Sequence, residues 1–134
     1  MRMVILMLTI CIPLVLAMTF ARPGDAVADE KPGRLLRHMV MYKYNDDLTR
    51  AQVQEVIDAF AALPRKIDTI VAFEHGDNVS PEGKSAGLTH AFVVTFNDEL
   101  GRDTYLQHPA HLEYVKLAGP RREKVVVFDY WTGP

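Results

Sequence analysis

Thr89-His90-Ala91-Phe92-Val93-Val94-Thr95-Phe96 reads as a strand with two apolar sides. Successive side chains of a strand point to opposite faces, so Phe92, Val94 and Phe96 share one side and Ala91 and Val93 the other. Two further stretches repeat the pattern. Lys124 to Trp131 (KVVVFDYW) sets Val125 and Val127 against Val126, Phe128 and Tyr130. Leu35 to Tyr44 (LLRHMVMYKY) sets Leu36, His38, Val40, Tyr42 and Tyr44 against Leu35, Arg37, Met39, Met41 and Lys43, and Asn45-Asp46-Asp47 ends it. An antiparallel sheet with one wet face would alternate polar and apolar. Helices of the same chain can cover one face only. A second copy of the sheet is the simplest cover for the other, and the strands therefore predict a homodimer whose two sheets close into one barrel.

The segments between these strands complete the topology. Thr49-x-x-Gln52 is a capping box, and Leu48 before it can form the hydrophobic staple. Val53, Val56, Ile57, Phe60 and Leu63 follow at helical spacing, which predicts an amphipathic helix over Thr49–Leu63, stopped by Pro64. Thr69 to His75 (TIVAFEH) reads as a second strand closed by Gly76, followed by a loop over Asp77–Gly87. Asn97-Asp98 starts another helix through about Gln107. It breaks at His108-Pro109, resumes to Leu117, and ends at Gly119-Pro120. The order is β-α-β-β-α-β. The expected fold is α+β: a ferredoxin-like protomer with an antiparallel four-stranded sheet, assembled as a dimeric α+β barrel.

The N-terminal part reads differently. Met3 to Phe20 carries no charge, only Arg2 precedes it among charged residues, and Ala26-Val27-Ala28 follows as a small-x-small site. This is the pattern of a secretory signal. The expected plan is a signal peptide over 1–28, a polar lead-in over 29–34 and one domain over 35–134. Thr19-Phe20-Ala21 offers a second cleavage site. The expected location is secreted or periplasmic, with membrane contact only if the apolar run stays attached as an anchor, since its length is borderline for a span. Cys11 is the only cysteine and would leave with the signal, so neither a disulfide nor a thiol group is expected in the domain. The formal charge is −2 for 134 residues; losing Arg2, Arg22 and Asp25 leaves −3 on the remaining 106. Such a balance gives no electrostatic case for nucleic acid. No Gly-rich phosphate loop is present, and no cofactor is expected.

The chemistry concentrates in Tyr105-Leu106-Gln107-His108-Pro109-Ala110-His111. Proline fits the first position of a helix, which makes His108 the N-cap and puts His111 in the first turn. The positive end of a helix disfavours an imidazolium, and a neutral imidazole can accept a proton. His111 is therefore a candidate general base. His38 and His90 sit mid-strand among apolar residues, an uncommon place for histidine without a partner. If both point under the helices, they share a pocket with Tyr105 and His111. Three readings fit this spacing. In one, His111 takes a proton, Tyr105 donates to a developing oxyanion, and His38 and His90 orient them. In another, His38, His90 and His111 ligate a metal; no histidine or carboxylate pair at i, i+4 supports it, and no metal is expected. In the third, the histidines are satisfied core groups of a binding or structural module.

Five stretches carry a resemblance: Arg37-His38-Met39-Val40, Gly76-Asp77-Asn78-Val79-Ser80, Thr89 to Phe96, Tyr105 to His111, and Val127-Phe128-Asp129-Tyr130. Through them, from about Arg37 to Trp131, the chain resembles the stress-responsive A/B barrel (Dabb) domain family of the dimeric α+β barrel superfamily. The resemblance implies a βαββαβ protomer and a dimer closed into a barrel. Within the family the chain is similar to polyketide cyclases, which perform an intramolecular aldol condensation. That similarity implies Tyr105 and His111 as the catalytic pair and places His38 and His90 in the pocket. With His108 these form the expected substrate-binding set. The implied function is an exported homodimer with a small pocket per protomer. Each pocket would take a small apolar or aromatic carbonyl compound, with cofactor-independent cyclase- or lyase-like acid–base chemistry. The alternative is a non-catalytic dimeric stress-response or envelope binding module.

Overall fold

The structure is a computed structural model and describes residues 33–133. The expected signal segment, its expected cleavage site and the lead-in up to residue 32 lie outside the described residues. Seven elements follow in order: β1 (Leu36–Tyr44), α1 (Arg50–Ala61), β2 (Ala72–Asp77), β3 (His90–Phe96), α2 (Glu99–Gln107), α3 (Pro109–Ala118) and β4 (Arg122–Trp131). All strand pairs are antiparallel, and the sheet order is β2-β3-β1-β4. This is the ferredoxin-like arrangement expected from the sequence.

Each helix starts where its cap chemistry puts it. The Thr49 hydroxyl accepts the Gln52 N–H, and the Gln52 side chain accepts the Thr49 N–H, closing the capping box of α1. Asp98 caps α2 by accepting the Gly101 N–H at 2.7 Å. The helix expected over Thr49–Leu63 ends slightly earlier, at Ala61, and Leu63–Arg65 turns as a 3-10 segment around Pro64.

The second strand differs from expectation. Thr69–His75 is not its span: Ile67 and Ile70 are buried in the turn before it, and pairing to β3 begins only where the Val71 N–H meets the Thr95 carbonyl. Gly76 lies inside the strand instead of ending it. The run Thr69-Ile70-Val71 suggested a strand, but Ile70 within it and Ile67 before it anchor a tight turn.

The helices pack on one face of the sheet. Leu36, Val40 and Tyr42 of β1 and Phe92, Val94 and Phe96 of β3 are buried there against Val56 and Phe60 of α1, Tyr105 of α2 and Tyr114 of α3. On the opposite face Met39, Met41, Val93 and Val126 are only half-buried, and Phe128 is 60% exposed. The edge strand β4 is open on its helix side as well. α2 packs over β1 and β3, and Val127 stays 53% exposed. This leaves a gap between β4 and the helices. Among the described residues no helix is long and apolar enough to cross a membrane.

Candidate active site

The gap beside β4 is a cavity of about 400 Å³. Its floor is His38, Val40 and Tyr42 of β1 with Val125, Val127 and Asp129 of β4. Its roof comes from Arg102, Tyr105 and Leu106 of α2 and from His111, Tyr114 and Val115 of α3, with Phe60 of α1 and Arg122 closing the ends. Apolar walls with a few convergent polar groups are the common form of a small-ligand site.

The break between α2 and α3 sets the geometry of the roof. His108 has extended backbone, φ −67° and ψ 134°, and its Nδ1 accepts the Ala110 N–H at 3.1 Å. In a continuous helix that N–H would serve the Leu106 carbonyl, four residues back. Here the carbonyl is free, and the His111 Nδ1–H donates to it at 3.1 Å. One ring nitrogen of His111 is thus fixed as a donor, and Nε2 is left for other chemistry. The Tyr105 ring lies 4.2 Å from the His111 ring, centroid to centroid, and is 1% exposed.

His38 enters from the floor. It is 5% exposed, and its Nδ1–H donates to Asp129 Oδ1 at 2.7 Å. The register of β1 on β4 places the two residues opposite each other. The Arg102 guanidinium donates to the other Asp129 oxygen at 2.9 Å and also holds Asp103. At the far end the hydroxyls of Tyr42 and Tyr114 meet at 2.9 Å, and Arg122 donates to the Tyr42 hydroxyl at 2.9 Å. Burial lowers the pKa of His111 below that of a free histidine. The Leu106 hydrogen bond opposes this, and the nearby charges of His38, Arg122 and His108 add to the lowering. Burial drives the Tyr105 phenol well above its ordinary range, so it is a neutral O–H donor. The cavity therefore holds a neutral base and a neutral hydrogen-bond donor side by side.

Of the residues singled out in the sequence, His111, Tyr105 and His38 line this cavity together. His90 does not. It is on the same face of the sheet, but it pairs with Tyr42 while His38 pairs with Val94. Four residues of strand separate those positions, roughly 13 Å. The His90 Nε2 sits 3.1 Å from an Asp77 oxygen and its ring lies against Tyr44. Burial lowers its pKa, against the pull of Asp77. His108 is the α3 cap and reaches the site only through the carbonyl it frees. The three-histidine metal arrangement is accordingly not formed, and no cluster of three metal-ligating side chains occurs among the described residues. Asp129, Arg102, Arg122, Tyr42 and Tyr114 were not singled out as site residues. A sequence signal existed for Asp129, a lone carboxylate inside the apolar run Val125–Trp131 and on the same side as Val125 and Val127.

Comparison with known proteins agrees with this architecture. The family model for the stress responsive A/B barrel domain (Dabb) matches residues 36–132. Olivetolic acid cyclase from Cannabis sativa is 30% identical over 95 residues, which cover 71% of this chain and 94% of the cyclase. The structure of hydroxynitrile lyase from Passiflora edulis matches with a TM-score of 0.72 at 27% identity, covering 76% of this chain and 96% of the lyase. A dimeric ferredoxin-like protein of unknown function from Thermobifida fusca matches at 0.64 and 28% identity, over 75% of this chain and 92% of that one. By fold, by sequence and by the span of the match, the chain belongs to the stress-responsive A/B barrel domain family.

Proposed function

We propose that this protein is an exported homodimer that binds a small, largely apolar carbonyl compound in the cavity beside β4 and carries out cofactor-independent acid–base chemistry on it. The observation that carries the reading is the placement of His111 and Tyr105, ring against ring at 4.2 Å, in a largely apolar cavity where burial disfavours the charged form of both. His111 Nε2 removes a proton from the carbon beside the carbonyl, and the Tyr105 O–H donates a hydrogen bond to the enolate oxygen that develops. The imidazolium formed on His111 then returns the proton to the product. Two relatives named as a cyclase and a lyase, olivetolic acid cyclase and hydroxynitrile lyase, support chemistry of this general kind on this fold. Export rests on the uncharged Met3–Phe20 run before Ala26-Val27-Ala28. The homodimer rests on the apolar outer face of the sheet and on relatives described as dimeric.

The test is a turnover screen of small carbonyl compounds with the parent, His111→Ala and Tyr105→Phe. Loss of turnover in His111→Ala and a fall of about a hundredfold in Tyr105→Phe, the scale of one lost oxyanion donor, would support the reading, provided melting temperatures stay near the parent's. Undiminished turnover in His111→Ala, or binding without turnover by every variant, would sink it in favour of a non-catalytic binding module.

A further inference from the structure

The cavity contains two arginines, and they are not equivalent. Arg102 is neutralised twice over, by Asp129 and Asp103. Arg122 has no carboxylate partner among the described residues. Its chain neighbours both have charge partners elsewhere: Arg121 pairs with Glu55 at 2.8 Å, and Glu123 pairs with Lys43. Asp129 lies seven residues up the same strand, roughly 20 Å away, and is already engaged by His38 and Arg102. Arg122 is half-buried, and its guanidinium lies over the Tyr42 ring, 5.1 Å from the centroid. One hydrogen bond, to the Tyr42 hydroxyl, fixes it there.

A guanidinium stays charged at any working pH and presents a planar fork of donors suited to a carboxylate. The Tyr42 face attracts the cation but supplies no opposite charge, so the guanidinium remains able to take an anion. The Tyr42–Tyr114 pair is no substitute, since two buried phenols supply dipoles and no charge. Arg122 and His111 line the same cavity, so one bound molecule can reach both.

We infer that Arg122 is the anchor for a carboxylate on the ligand, so that the substrate class is a small keto acid anion and not a neutral carbonyl compound. The carboxylate sits at the Arg122 end and the carbonyl faces Tyr105 and His111. This inference rests on the proposed reading of the cavity as a ligand site and narrows it.

Calorimetric titration of the purified protein with 4-acetylbenzoate, phenylpyruvate and levulinate, each beside its methyl ester, tests it, with the His111 ring signals as a reporter of where they bind. The expected result is acids at least tenfold tighter than their esters. Arg122→Gln should erase that preference, so that acid and ester bind this variant alike, and Arg122→Lys should keep part of it. Loss of the Arg122 charge should also raise the His111 titration midpoint. Esters that bind the parent as well as the acids do would overturn the inference while leaving the cavity reading in place, and this comparison needs no variant to fold. An acid preference that survives Arg122→Gln would overturn it equally. Acids and esters that all fail to perturb His111 at millimolar concentration would overturn the inference and the cavity reading together.

Discussion

His38 occupies the middle of an apolar strand, and Asp129 is what makes that position tolerable. A buried imidazole N–H without an acceptor costs about 1–3 kcal/mol, and the 2.7 Å bond to Asp129 removes that cost. Asp129→Ala should therefore lower unfolding stability by about 1–3 kcal/mol, read by urea denaturation, because it strands the His38 Nδ1–H and frees one contact of Arg102. A loss under about 0.5 kcal/mol would mean that water or a shifted side chain replaces the carboxylate. At this scale the sequence was partly legible. An unusual polar residue in an apolar run identified His38, and the same reasoning applies to Asp129. Arg122 had no such mark, since arginine at the start of a strand after Gly119-Pro120 looks like an ordinary surface residue. Only the missing carboxylate, a fact of three-dimensional packing, distinguishes it.

Elements were legible where local chemistry decides them. The break between α2 and α3 follows from His108-Pro109 alone, and with it the placement of His111 in the first turn of α3. What the sequence could not supply was the consequence of the break, namely that capping by His108 diverts the Ala110 N–H and hands the Leu106 carbonyl to His111. Strand residues were legible by parity and not by position. His90 lies on the same sheet face as His38, as the alternation requires, yet the register of β1 on β3 sets it at the other end, beside Asp77. Register is a long-range property with no local signature in these strands. The early start read for β2 has the opposite cause. Ile67 and Ile70 are apolar because they anchor a turn under the core, and the strand pairs from Ala72 onward.

At the level of the whole molecule, two-sided strands carried the prediction of a barrel, and among the described residues the outer face of the sheet has no covering layer. Met39 and Phe128 pair across β1 and β4 on that face, with Met41 beside Val126. Each apolar side chain taken from water contributes roughly 1.5–3 kcal/mol, so a second sheet over this surface is strongly favoured. Phe128→Glu would place a charge there, and sedimentation equilibrium should show twice the protomer mass for the parent and the single mass for the variant. A parent that sediments as a protomer at micromolar concentration would contradict the barrel. The claim on which the function turns is that the fold keeps His111 neutral, with its Nδ1 as the donor. Nitrogen-detected NMR titration of the histidine rings tests this directly. The predicted result is an Nδ1–H tautomer for His111 at pH 7 and a midpoint below the ordinary 6.5; a midpoint at or above 6.5, or a proton on Nε2 of the neutral ring, would contradict it.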